Sequence, residues 1–129
     1  MRMVKLAGTW SLQVLLGVLF VVLGVAKFGD PSWARKFAGW GYPDGFYMVA
    51  GVLEIAGGLM VLVPRGASYG ALTIATVMVG AALTHLTHGE TRRLIGPLIF
   101  LALAAAVGWL RRASAARPAR LPASERAVT

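Results

Sequence analysis

The chain has no cysteine in its 129 residues. It therefore forms no disulfide, iron–sulfur cluster or thiolate zinc site, and any thiol chemistry must come from a partner. Negative charge is also scarce, with 5 Asp and Glu against 13 Lys and Arg. No phosphate-binding glycine loop, nucleophile elbow or catalytic-triad pattern is present. Only one acidic residue, Glu54, lies inside a long apolar run.

Apolar residues are what the chain has in excess. They make up 57% of it, and mean hydropathy is +0.70, whereas soluble domains are about 45–50% apolar. The excess lies in four runs, 8–28, 45–63, 66–86 and 94–110. A membrane-crossing helix needs about 17–25 mostly apolar residues. The expected fold is all-α: a four-helix transmembrane bundle in one domain, residues 1–112, followed by a basic, disordered cytoplasmic tail, 113–129. The first run follows Arg2 and Lys5 but exceeds the about 7–15 residues of a signal-peptide core, and no small-residue cleavage pattern follows. It reads as a retained span.

A net charge of +8 would suggest nucleic acid in a soluble protein. Here the cations flank the spans, and no nucleic acid is expected. Arg2, Lys5, Arg65, Arg111, Arg112, Arg117, Arg120 and Arg126 fall on the side of the 63–66 turn, against Lys27, Arg35, Lys36, Arg92 and Arg93 on the other. The positive-inside rule then places both termini in the cytoplasm.

Between the first two runs, Asp30-Pro31 reads as an N-cap followed by an N1 proline. Trp33, Phe37 and Trp40 follow at i, i+4 and i+7 and share one face of a short amphipathic helix. Such a helix either lies in the headgroup region or covers the bundle as a lid. Tyr42 and Tyr47 suit the aromatic belt on that side, and Trp10 and Trp109 the opposite belt. Thr9 and Gln13 are candidate interhelical hydrogen-bonders.

A carboxylate at a helix centre costs about 2.5–3.5 kcal/mol even on mild insertion scales, so Glu54 should face protein and a partner. Ala50, Gly51, Glu54, Gly57, Gly58 and Val61 form one stripe of the second run; Thr73, Thr76, Gly80 and Thr84 form one of the third. The 63–66 hairpin should bring these stripes together. Side chains tilt toward the N-terminus of their own helix. Glu54 therefore leans toward the end of the bundle where the first and third runs finish, and Lys27 and His85 lean back toward it. Glu54, His85 and Lys27 are the candidate catalytic residues, and Thr76, Thr84 and Gly58 the candidate ligand contacts. Lys27 could instead only fix register or snorkel to the headgroups. His85 and His88 stand at i and i+3, and Glu90 is the one further ligand to consider, but no complete set is obvious, so no metal is expected.

The ordered set GVLFVVLGVAKFGDP, FAGWGYPD, VAGVLEIAGGLMVLVPR and ALTHL resembles the DoxX family of small four-helix membrane proteins over residues 14–110. The matching features are Lys27, Asp30-Pro31, Gly41-Tyr42-Pro43, Glu54-Ile55-Ala56-Gly57-Gly58 and His85. The resemblance implies a component of a membrane oxidoreductase or oxidative-stress system in the bacterial plasma membrane. Its namesake resembles a subunit of a thiosulfate:quinone oxidoreductase, so quinone is the implied cofactor and a soluble or membrane redox protein the implied partner. A quinone-associated subunit is the leading expectation. A non-enzymatic scaffold for a redox partner is the alternative, and a small-molecule or lipid carrier comes third, since no inverted repeat is evident. The glycine-rich faces could also serve a homo-oligomer.

Overall fold

Glycine and proline divide the apolar sequence into five helices. The computed structural model describes residues 2–115, with side chains for 3–112. The helices are α1 (Arg2–Gly29), α2 (Ser32–Gly39), α3 (Phe46–Leu62), α4 (Ala67–Thr87) and α5 (Ile95–Ala115). A single 3₁₀ turn, Thr91–Leu94, leads into α5. No strand occurs among the described residues.

Three of the four expected spans are long and apolar enough to cross a membrane: Met3–Gly29, Ala67–Thr87 and Thr91–Arg112. The run at 45–63 forms α3, which is apolar but only 17 residues long. At 1.5 Å per residue it covers about 25 Å, short of an average hydrocarbon core of about 30 Å. Its start is fixed by Gly45, whose φ of 81° lies in the left-handed region. Two helices exceed the apolar runs that nucleate them. α1 begins at Arg2 because residues 2–7 contain no helix breaker, and α5 continues past Arg112 to Ala115 for the same reason. Three residues of the expected tail are thus helical, and 116–129 lie outside the described residues.

The four long helices pack as a ring, α1 on α3, α3 on α4, α4 on α5 and α5 on α1. Leu16, Phe20, Val61, Ile74, Ala104 and Val107 fill its core. Phe20 of α1 meets Phe100 of α5 edge to face at 5.1 Å.

The most extensive seam, α1 on α3, is not with the hairpin partner expected for the Glu54 stripe. A Cβ on Gly58 would lie 2.7 Å from the Gly17 carbonyl oxygen, and one on Gly24 would lie 2.7 Å from that of Gly51. Each helix carries two of these glycines seven residues apart, Gly17 and Gly24 on α1 and Gly51 and Gly58 on α3, and the antiparallel backbones close on one another there. The α3–α4 approach is confined to the hairpin end, where a Cβ on Gly70 would lie 2.6 Å from the Gly57 carbonyl oxygen. Glu54 thus turns toward α1, because that is where the glycines admit a neighbour.

At the hairpin end, Arg111 Nε donates to Gln13 Oε1 at 2.7 Å and the guanidinium lies over the Trp10 ring. Gln13 is thus an interhelical bonder as expected. Thr9 is not: its hydroxyl donates to the Lys5 carbonyl one turn back in the same helix. Trp109 is largely exposed, as an interfacial residue would be.

Candidate functional site

At the end away from the hairpin the bundle is hollow. A cavity of about 440 Å³ is lined from all four long helices and from α2. α1 gives Leu23 and Lys27, α3 Ala50 and Glu54, α4 Met78, Thr84 and His85, and α5 Pro97 and Phe100. Its walls are overwhelmingly apolar, and a few polar groups converge on them, as in small-molecule sites of about 300–1,000 Å³.

The central polar feature is an ion pair. Lys27 Nζ donates to both Glu54 oxygens, at 2.9 and 2.8 Å. Lys27 is 6% exposed and Glu54 3%. Lys27 lies one residue before the aromatic end of α1, at Phe28, and its stem reaches down to Glu54 instead of out to the headgroups. The ammonium also lies 4.2 Å from the Trp33 ring centroid. A buried ion pair stands only where geometry and further contacts offset desolvation, and removing one partner costs about 3–5 kcal/mol. Two hydrogen bonds and an aromatic face supply those contacts here.

α2 forms the roof, the lid alternative for this amphipathic helix. Asp30 starts it, accepting from the Ser32 N–H at 2.9 Å. That hydrogen bond, aided by Lys36 and Arg35, holds the Asp30 carboxyl below the ordinary range. Trp33, Phe37 and Trp40 point into the cavity. Phe37 is the hub, 5.3 Å from the Trp40 ring and 5.4 Å from that of Tyr42. Tyr42, expected in the interfacial belt, turns inward and its hydroxyl bonds that of Thr84.

The roof is fastened to the α4–α5 connection. Trp40 Nε1 donates to Glu90 Oε1 at 2.8 Å, and His85 Nδ1 stands 3.3 Å from the same oxygen. Arg93 reaches the other Glu90 oxygen at 3.0 Å. Partial burial opposes the charge on Glu90, but the bonds with His85 and Trp40 and the charge of Arg93 outweigh it, so its carboxyl sits below the ordinary range. Gly89, with φ 70°, makes the left-handed turn that folds Glu90 back onto His85.

The three candidate catalytic residues thus line one cavity, but not as one network. Lys27 and Glu54 pair directly, whereas His85 bonds Glu90 at the roof. Thr84 and Thr76 line the cavity as well, although the Thr76 hydroxyl donates to the Leu72 carbonyl of its own helix. Gly58 lies outside the cavity, in the α1–α3 seam. His88 turns from His85, its Nδ1 lying 2.8 Å from the Thr84 carbonyl oxygen. Among the described residues no three His, Asp or Glu side chains converge as metal ligands. Sequence reasoning reached Glu90 only as a further metal ligand to consider, and missed the roof tryptophans as site residues. The available signal was a carboxylate and a histidine five residues apart across a glycine.

Residues 11–107 match the DoxX-like family. No curated protein and no solved structure matches the chain.

Proposed function

Because the chain belongs to the DoxX-like family, a family of membrane proteins, we propose that it binds quinone in the roofed cavity as a subunit of a membrane oxidoreductase or oxidative-stress system. α3 completes a four-span bundle in the bacterial plasma membrane, its short length made up by Tyr47, Phe46 and the roof at one end. Both termini lie in the cytoplasm, on the more basic side.

The observation that carries this reading is a buried Lys27–Glu54 pair opening on an apolar, aromatic-roofed space. The residues fit a quinone in shape and chemistry. Trp33, Trp40 and Phe37 accommodate flat rings, and the Lys27 ammonium donates to carbonyl oxygens. A bound quinone supplies a two-electron, two-proton acceptor, and the electrons come from a partner redox protein. The chain's own residues manage protons and position. Lys27 would present Nζ–H as the donor to a ring oxygen, and Glu54, whose carboxylate lies 2.8 Å from Nζ, would hold it in place and relay to the ring protons taken up from the aqueous side. The roof excludes water, which strengthens both interactions. A cavity of about 440 Å³ beside a buried charge pair supports this reading over a pure scaffold of the same fold.

Glu54→Gln tests the assignment. The variant should insert in the membrane but lose quinone binding, read as quenching of tryptophan fluorescence, and quinone-dependent turnover with it. Unchanged binding and turnover would remove Glu54 from the site.

A further inference from the structure

The cavity has a side door. Five of its lining residues are also exposed on the bundle surface, and they come from only two helices. Phe46, Val49 and Leu53 form one edge on α3; Val49 is 49% and Leu53 41% exposed. Thr76 and Gly80 form the other on α4. The reason lies in the hairpin. α3 and α4 are pinned together at Gly57 and Gly70, where a Cβ would strike backbone. About three turns further along α4, Gly80 meets nothing, since a Cβ there would have no heavy atom within 4 Å. The pair therefore splays, and the gap opens sideways, between the level of Glu54 and the roof, on a face of apolar side chains that belongs in lipid.

We infer that the gap between Leu53 and Gly80 is a lateral portal, and that the cavity's ligand is a long-tailed, membrane-borne quinone whose tail runs out through it; this rests on the cavity being a quinone site. The ring would sit under the aromatic roof against Lys27. The tail would then pass between Val49 and Leu53 on one side and Thr76 and Gly80 on the other. A water-soluble, tail-less quinone would fill the ring site and leave the portal empty. The fastened roof favours this route, because Trp40 and Tyr42 are tied to Glu90 and Thr84 and close the end of the bundle.

The absence of cysteine from the chain makes the portal directly testable. Gly80→Cys and Leu53→Cys each place one thiol at the gap, and Val79→Cys places one on the lipid face of α4 beside it. Each variant, in liposomes, is labelled with a membrane-soluble maleimide while ring occupancy is followed by quenching of Trp33 and Trp40. The probes are decylubiquinone and 2,3-dimethoxy-5-methyl-benzoquinone, its tail-less counterpart. At about ten times the dissociation constant, mass action leaves roughly one site in ten open. Decylubiquinone should then slow labelling of Gly80→Cys and Leu53→Cys about tenfold by the same mass action, and leave Val79→Cys unchanged. The tail-less quinone should quench without protecting either position. If both quinones quench and neither protects the gap, the portal is wrong while the quinone site stands. If neither quenches, the quinone site fails and the portal with it.

Discussion

The two ends of this bundle are built from similar residues to opposite purposes. Along α1 and α3 glycines bring backbones together at both ends, Gly58 against Gly17 and Gly51 against Gly24, but between α3 and α4 they do so at the hairpin end, Gly57 against Gly70. Its buried polar contact, Arg111 to Gln13, ties α5 to α1. At the roofed end Gly80 faces open space, and the buried pair Lys27–Glu54 borders a cavity. A glycine in an apolar helix can serve close packing or leave room for a ligand, and only its neighbours distinguish the two. In the same way, a buried polar pair can fasten a seam or equip a site.

Removing one charge at the roofed end should have the largest effect. Glu54→Ala leaves the Lys27 ammonium buried without its counter-charge and should destabilise the fold by about 3–5 kcal/mol, measured by unfolding in mixed detergent micelles. The double variant Lys27→Leu with Glu54→Leu should recover most of that loss, because an apolar pair needs no compensation. A single variant as stable as the parent would mean the ammonium reaches water.

The glycine contrast predicts opposite signs. Gly70→Ala puts a methyl 2.6 Å from the Gly57 carbonyl oxygen and the Val61 nitrogen, and overpacking of this kind costs about 1–3 kcal/mol. Gly80→Ala meets nothing and gains helix propensity, up to about 1 kcal/mol of stability. Equal effects at both positions would erase the distinction between the two ends.

The smallest effect concerns the fastening of the roof. The folded-state pKa of Glu90 is depressed, so its contribution is present above the unfolded carboxylate value of about 4.3 and is lost as pH falls through the lower folded value. Protection from hydrogen exchange over residues 32–44, taken relative to the intrinsic rate at each pH, should therefore fall on acidification through that range. Glu90→Gln should remove that pH dependence and leave exchange in α3 unaltered. An unchanged pH profile in the variant would assign the fastening to Tyr42 and Thr84 alone.

Much of this was legible in the sequence for identifiable reasons. Hydropathy marked the four apolar helices, and one carboxylate in an apolar run required a partner. The tilt of side chains along antiparallel helices pointed to Lys27. Periodicity found the roof helix but could not choose between headgroups and lid, since both need one aromatic face. The partner of His85 was hidden because Glu90 returns to it through the backbone turn at Gly89 and not through helix geometry. The stripe of small residues makes Gly58 a ligand contact on glycine count alone, which does not reveal which helix stands opposite. The seven-residue spacing shared by Gly17, Gly24, Gly51 and Gly58 held that information. The length of α3 was overestimated by one residue at each end, enough to leave it shorter than a typical span.

The central claim is that the roofed cavity holds a quinone against the Lys27–Glu54 pair. A crystal structure grown from a lipidic mesophase containing decylubiquinone tests it most directly. The account predicts a flat ring beneath Trp33 and Trp40, with a carbonyl oxygen in hydrogen-bond reach of Lys27 Nζ and the tail emerging beside Gly80. A cavity filled by an acyl chain, or closed by movement of Leu53 and Phe100 with the ion pair intact, would contradict it.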